Sequence, residues 1–127
     1  MRLTLIALLA MCLCLPLLGA DKDKPLPKDF KSLKALAEKG DARAQFHLAI
    51  MFYDGEGVEQ SLKEAAKWTR KAAEQRYAQA QYVIGLLYAN GQGVEKDVKE
   101  KAKWYRKAAE QGHADAQVCL GFCYAFF

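Results

Sequence analysis

Nucleophilic side chains are few in this sequence, and their spacing does not match that of an active site. After residue 20 the serine and threonine candidates are Ser32, Ser61 and Thr69. Neither serine belongs to a Ser-x-x-Lys nucleophile motif, because Ala35 and Glu64 stand three residues later. The histidines are His47 and His113, and His113 begins a predicted helix, where it caps the helix or lies in solvent. An enzyme needs a nucleophile with a base, or a cluster of ligands, so the sequence predicts a protein that is not an enzyme.

Two glycine-rich loops and two tryptophans are the other candidates for a site. The loops are Gly55-Glu56-Gly57 and Gly91-Gln92-Gly93. Phosphate binding by such glycines requires a preceding strand, whereas both loops lie between predicted helices, so we predict turns with positive φ angles. Trp68 and Trp104 could form a ligand platform, but their helical spacing among alanines favours packing. No cofactor is predicted.

An internal repeat organises these residues. Residues 42–77 and 78–113 are identical at 18 of 36 positions without a gap. A period of this length implies stacked units rather than one globular core. The predicted repeat domain covers residues 29–127. Its parts are a half-repeat cap at 29–40, repeat 1 at 41–76, repeat 2 at 77–112 and a truncated repeat 3 at 113–127.

Each repeat is predicted to contain two helices, A and B. Helix A occurs three times, near residues 41–53, 77–89 and 113–125. Positions that keep their character between copies, such as Ala44, Leu48, Ala49 and Phe52, step along one helical face and predict the packing surface. Helix B begins with Ser61 and again with Asp97. Each is followed three residues later by a glutamate that is expected to reach back to the N–H of the capping residue, as in a capping box.

The helix A positions that differ between copies form a second face. In the first two copies we take as candidates Arg43, His47, Ile50, Tyr53, Gln79, Val83 and Leu86. Their counterparts in the third copy include Asp115, Cys119 and Phe122. Because solenoids of helix pairs have a concave surface lined by one helix of each pair, this face predicts where a partner binds. Arg43 and Tyr53 are preferred, since Arg and Tyr are enriched at interface hot spots.

Cys119 and Cys123 are the cysteines outside the N-terminal segment. They lie four residues apart on one predicted helix face, which does not readily satisfy disulfide geometry. One repeat earlier the same positions hold Val83 and Leu87. We therefore predict two small core residues, and no metal site, because a metal needs more ligands.

The N-terminus has the pattern of a secretory signal peptide. Residues 1–20 contain one charge, Arg2, an apolar run of about 16 residues, and Ala20 before Asp21. The alternative is a membrane anchor, but the run is short of the ~20 residues that span a bilayer. The sequence thus predicts export to the periplasm or medium, with no stable membrane span after cleavage. Residues 21–28 are charged, contain two prolines and predict a disordered lead-in.

Charge and the C-terminus limit the choice of partners. Without residues 1–20 the chain has 18 basic and 15 acidic residues, mixed along the helices, so a nucleic-acid partner is not predicted.

Phe126 and Phe127 fall where the loop begins in the other repeats. A terminal repeat normally has a polar outer face, so the sequence suggests a short form or a truncated product. Self-association through the last helix, or no independent function, is expected in that case.

The repeat resembles the Sel1-like repeat, a relative of the tetratricopeptide repeat. The resemblance rests on Ala-x-Ala-Gln, Gly-x-Gly-Val and Ala-x-Trp-x-x-Lys-Ala-Ala-Glu-Gln at a 36-residue period. It implies an all-α, right-handed superhelical solenoid of antiparallel helix pairs, acting as a scaffold or adaptor for a protein or peptide. Some secreted members of the family are cysteine-rich, and a few of those are described as penicillin-binding with weak β-lactamase activity. That alternative is disfavoured here, because only two cysteines follow residue 20, both on one predicted helix.

Overall fold

The computed structural model describes residues 24–125, which are helical apart from turns and the first few residues. The helices in this part of the chain are α1 (Phe30–Glu38), α2 (Ala42–Asp54), α3 (Leu62–Glu74), α4 (Ala78–Asn90), α5 (Val98–Glu110) and α6 (Ala114–Ala125). The predicted signal peptide, residues 1–20, lies outside the described residues. Between residues 24 and 125 no helix has the length and apolar character needed to cross a membrane.

Side-chain caps mark the starts of α1, α2, α3 and α5. Asp29 and Asp41 accept backbone N–H groups at the starts of α1 and α2. Contacts from the Ser32 side chain and backbone N–H lower the pKa of Asp29. Ser61 caps α3 and Asp97 caps α5 in the same way.

Only one of the two hydrogen bonds of each predicted capping box forms. Ser61 accepts from the N–H of Glu64 at 3.2 Å, as expected. The N–H of Ser61 donates to the carbonyl of Phe52 at 2.9 Å, and Asp97 repeats this bond to Tyr88. The expectation that the glutamate reaches back to this N–H was therefore wrong, because the preceding helix A already supplies its acceptor. The bond joins the start of each helix B to helix A of the same repeat.

The hydrophobic core consists of two buried clusters that succeed one another along the repeats. One buried cluster joins α1, α2 and Trp68, and the other joins α2 to α5 and includes Trp104. Trp68 is 5% exposed and Trp104 is 3% exposed, so both are packing residues, as predicted. Leu26, in the segment predicted as a disordered lead-in, packs against the first cluster. Successive helices thus stack as antiparallel pairs in a right-handed solenoid.

Buried glutamines connect each repeat to the next. Gln45 donates to the carbonyl of Ala37 at 3.1 Å and accepts from Gln75 at 2.8 Å. One repeat later Gln81 donates to the carbonyl of Ala73, and Gln111 donates to Gln81. Within the described residues no buried side-chain N or O atom lacks a hydrogen-bond partner. Gln45 and Gln81 each lie on a helix A, and each therefore holds the C-terminal ends of the preceding and following helices together.

Arg76 follows α3 with a φ of 67°, the left-handed region where a side chain costs about 1–2 kcal/mol. Glycine occupies the matching positions, at Gly40 and Gly112. We expect Arg76→Gly to raise the free energy of unfolding by about 0.5–1 kcal/mol, because the relief of backbone strain exceeds the cost of the extra chain entropy that glycine gives the unfolded state. Urea denaturation measures this difference. The matched control is Gly112→Ala, where an added Cβ meets nothing within 4 Å, and it should lose about 1 kcal/mol. A lower urea midpoint for Arg76→Gly would contradict the strain argument.

Candidate partner-binding grooves

One groove collects five of the seven candidate residues, which come from two helices A. It has a volume of about 470 Å³ and is enclosed by α2, α3 and α4 and by Gln92 in the loop after α4; we call it the inter-repeat groove. The five candidates in it are Ile50, Tyr53, Gln79, Val83 and Leu86. Ile50 and Tyr53 are each 38% exposed, so apolar surface remains open to solvent beside the core.

The inter-repeat groove has an apolar floor and a neutral polar rim. Phe46, Ala49 and Leu87 supply part of the floor, and Asn90 and Gln92 carry amides at the rim. No lysine, arginine, aspartate or glutamate lines it among the described residues. Such a surface suits an uncharged apolar group, with the amides available for hydrogen bonds to a peptide backbone.

Two hydrogen bonds position polar groups of this groove. The Gln92 amide donates to the Tyr53 hydroxyl at 3.1 Å. Because Gln92 lies in the loop after α4 and Tyr53 lies on α2, the bond connects adjacent repeats across the groove. At the other end Gln79 Oε1 lies 2.7 Å from His113 Nε2, and the His113 ring stacks on Tyr82 with centroids 4.8 Å apart. Both amides are therefore oriented by contacts from the neighbouring repeat.

The other two candidates, Arg43 and His47, lie in a separate groove of about 600 Å³, which we call the N-terminal groove. Its second wall is the extended segment from Lys24 to Lys28. The Arg43 guanidinium donates from Nη2 to the Lys24 carbonyl at 3.3 Å. Ile50 lines both grooves, so they adjoin along α2.

The two grooves are copies of one another in the repeat. Six lining positions of the N-terminal groove recur 36 residues later in the inter-repeat groove. The corresponding pairs are Leu33 and Thr69, Arg43 and Gln79, His47 and Val83, Ile50 and Leu86, Met51 and Leu87, and Glu56 and Gln92. In the inter-repeat groove α2 forms the remaining wall, whereas in the N-terminal groove the segment before α1 takes that place. This segment therefore substitutes for the helix A that a preceding repeat would supply.

Sequence reasoning missed the loop residue that enters each groove. Glu56 and Gln92 occupy the same position in the two loops and differ in charge. Difference between copies is the signal that identified the helix A candidates, and applied to the loops it would have found this pair. The wall formed by Lys24 to Lys28 had no such signal, because that segment has a single copy.

The third copy of helix A brings its cysteines near two tyrosines. Cys119 and Cys123 are partly buried and not bonded to each other. Burial raises the pKa of Tyr105, and the nearby Cys119 raises it further. The same two causes raise the pKa of Tyr82. Among residues 24–125 no group of three or more histidine, cysteine, aspartate and glutamate side chains is placed to hold a metal ion.

A solenoid of antiparallel helix pairs with a 36-residue period defines the class of this protein as an α-helical repeat protein. The chain belongs to the Sel1 repeat family, whose model matches residues 42–77 and 78–113. Both matches begin at the first residue of a helix A, at Ala42 and Ala78. No functionally curated protein matches the chain.

Solved structures of Sel1 repeat proteins share this fold. A Sel1 repeat protein from Oxalobacter formigenes is 37% identical with a TM-score of 0.70, over 72% of this chain and 68% of that one. The c5321 protein, a protective antigen of uropathogenic Escherichia coli, is 42% identical with a TM-score of 0.74, over 77% of this chain but 21% of that chain. Cysteine rich protein B of Helicobacter pylori is 26% identical with a TM-score of 0.69, over 72% of this chain and 68% of that one.

Proposed function

We propose that this protein is an exported, non-catalytic scaffold that binds a protein or peptide partner on the concave face lined by its helices A. The Sel1 repeat fold is typical of protein–protein interaction scaffolds. The observation that carries the proposal is the inter-repeat groove, where five positions that differ between copies meet around exposed apolar surface. Export rests on the signal-like pattern of residues 1–20 and remains a prediction.

The serines support a scaffold over an enzyme. Ser61 accepts a hydrogen bond from the N–H of Glu64 and so serves as a helix cap. Ser32 lies at the start of α1, where its N–H donates to Asp29 at 2.8 Å. Each serine therefore lies at a helix start, where its contacts are those of helix capping.

We expect Val83→Asp to reduce partner capture at least tenfold. A carboxylate in the apolar floor would lose its hydration when a partner covers it, and an unpaired buried charge is costly. The measurement is quantitative pull-down from a periplasmic or secreted extract, with circular dichroism to verify that the variant is folded.

The matched control is Val98→Asp. Val98 is 47% exposed, lies outside both grooves and is the first residue of α5, where an acidic side chain is favourable. Capture by this variant should equal that of the unmodified chain. If both variants, still folded, capture the same proteins in the same amounts as the unmodified chain, the inter-repeat groove is not the binding surface.

A further inference from the structure

One face of α6 is far more exposed than the same face of α4. Tyr88 of α4 is 7% exposed, whereas Tyr124, one repeat later, is 61% exposed. Gly85 of α4 lies against the ring of Tyr105 on α5, whereas nothing lies within 4 Å of a Cβ built on the equivalent Gly121. The surface that α5 covers on α4 is therefore open on α6.

The same difference is found in the charges beside these tyrosines. The guanidinium of Arg70 lies over the ring of Tyr88, 5.8 Å from its centroid, and its Nη2 is 3.7 Å from a carboxylate oxygen of Glu100 on α5. Arg106 lies over the ring of Tyr124 at the same 5.8 Å and donates to its hydroxyl. Among residues 24–125, however, no carboxylate lies within ion-pair distance of Arg106. A tyrosine hydroxyl is neutral, so this cation is oriented by Tyr124 and keeps its charge.

Arg106, Gly121 and Tyr124 together form what we call the α6 face, which belongs to neither groove. We propose that the α6 face binds one amphipathic helix of a partner protein. That helix carries a glutamate and, four and five residues later, two aromatic side chains. The α6 face is thus a second interaction surface, separate from the concave face.

The packing of α5 shows how such a helix covers a surface of this kind. Three residues of α5 each meet one residue of α3 or α4. They are Glu100, which pairs with Arg70; Trp104, in the same buried cluster as Tyr88; and Tyr105, whose ring lies against Gly85. The α6 face repeats the arginine, the tyrosine and the glycine 36 residues later, so it offers the same contacts to a helix of the same pattern. Burial of the aromatic side chains supplies most of the affinity, and the ion pair sets the register and the choice of partner.

The partner is a different protein rather than a second copy of this chain. In this sequence a glutamate is followed four residues later by an aromatic residue only at Glu64 and Glu100. The aromatic residues are Trp68, which is 5% exposed, and Trp104, which is 3% exposed. Because both are packed in the core of their own chain, a folded second copy does not present this pattern.

Fluorescence anisotropy with the full chain and synthetic helical peptides tests the proposal. The first peptide has the sequence of residues 98–110 and a fluorescein label. A hydrocarbon link joins the positions of Lys99 and Lys103, which are exposed in α5, because a helix this short is marginally stable alone. A second peptide carries Glu100→Gln and a third carries Tyr105→Thr. We expect the first peptide to bind about two to five times more tightly than the second and at least five times more tightly than the third.

Gly121→Ala in the chain places a methyl group where the tyrosine ring of the peptide should lie. A Cβ on Gly85 would be 2.6 Å from Cδ1 of Tyr105, and the same clash is expected on the α6 face. In repeat 1 an alanine, Ala49, accompanies Thr69 at these positions. The variant should therefore bind the first peptide at least fivefold more weakly and lose the preference for it over the Tyr105→Thr peptide. The fold should be preserved, because the added methyl meets nothing within 4 Å in the chain itself.

Arg106→Gln tests the ion pair in the same assay. This variant should bind the first peptide and the Glu100→Gln peptide equally. The matched control is Arg76→Gln, which removes a positive charge from an exposed position in the turn after α3. The control should keep the preference for glutamate.

The outcomes decide between the possible occupants of the α6 face. Loss of the tyrosine preference in Gly121→Ala, together with loss of the glutamate preference in Arg106→Gln, would support the proposal. Absence of saturable binding by the first peptide would overturn it, as would unchanged binding to Gly121→Ala or a glutamate preference that survives Arg106→Gln. Sedimentation equilibrium tests the remaining occupant. If the unmodified chain is a dimer that Gly121→Ala separates, the α6 face belongs to a second copy and the partner helix is excluded.

Discussion

Gly93→Ala should lower the free energy of unfolding by about 3 kcal/mol or more, because the new methyl group would overlap backbone atoms. Gly93 has a φ of 71°, and a Cβ built on it would collide with the carbonyl carbon and oxygen of Leu62. Leu62 is the first residue of α3, so relief of the clash requires the loop after α4 to move away from the preceding repeat. That movement would also disturb Gln92 and its contact with Tyr53. Urea denaturation monitored by circular dichroism measures the loss.

Gly57→Ala is the matched control, because Gly57 occupies the same loop position one repeat earlier. Its φ is 69°, so the backbone strain is the same. A Cβ there meets only the terminal methyl of Met51, at 3.3 Å, and a flexible side chain can move. We expect a loss of about 1–2 kcal/mol from the positive φ alone. Equal losses in the two variants would show that backbone conformation, and not contact between repeats, explains the need for glycine.

Much of the fold could be predicted because the repeat places several copies of the same helices in one sequence, where equivalent positions can be compared. Leu48 and Ile84 stand at one repeat position and both are fully buried. Ala44 and Ala80 are also fully buried at their shared position. Each repeat must bury the same helix face against the next, so the residues at these positions vary little in size. The helix bounds agree for the same reason, since Asp41, Ser61 and Asp97 cap the helices that the pattern indicated.

The candidate site was harder to predict, because grooves depend on contacts between elements that do not follow the repeat. Arg43 and Gln79 are equivalent by register, yet one faces an extended segment and the other faces α2. The bond between Tyr53 and Gln92 joins positions 39 residues apart, which are not equivalent in the repeat. A pattern of spacings identifies which face of a helix varies. It does not indicate which element forms the opposite wall.

At one buried contact between helix A and helix B, the two repeats divide side-chain volume differently between the two helices. In repeat 2 Gly85 of α4 lies against the ring of Tyr105 on α5, and both residues are buried. At the same positions repeat 1 has Ala49 and Thr69, also buried. The smaller residue on helix A accompanies the larger one on helix B, so the absence of a Cβ on Gly85 leaves room for the Tyr105 ring. Such compensation indicates that the two positions are coupled, as close packing requires.

Gly85→Ala is therefore expected to destabilise the protein by about 1–2 kcal/mol, although alanine has the higher helix propensity by about 1 kcal/mol. A Cβ on Gly85 would lie 2.6 Å from Cδ1 of Tyr105, so the buried ring must shift. Gly121→Ala at the equivalent position of α6 is the control, because nothing lies within 4 Å of its added Cβ. That variant should gain up to about 1 kcal/mol from helix propensity. The two substitutions are thus expected to have opposite signs in the same thermal and urea denaturation assays.

A double-mutant cycle tests whether the ring is the cause. Tyr105→Thr alone should cost about 3 kcal/mol, because it leaves a cavity beside Gly85. Combined with Gly85→Ala it recreates the pair that Ala49 and Thr69 form in repeat 1, and the added methyl then occupies part of that cavity. We expect the double variant to be more stable than the sum of the single changes predicts by about 1–2 kcal/mol. Strict additivity would mean that Gly85 is small for a reason other than Tyr105, and that the exchange of volume between the repeats is incidental to their packing.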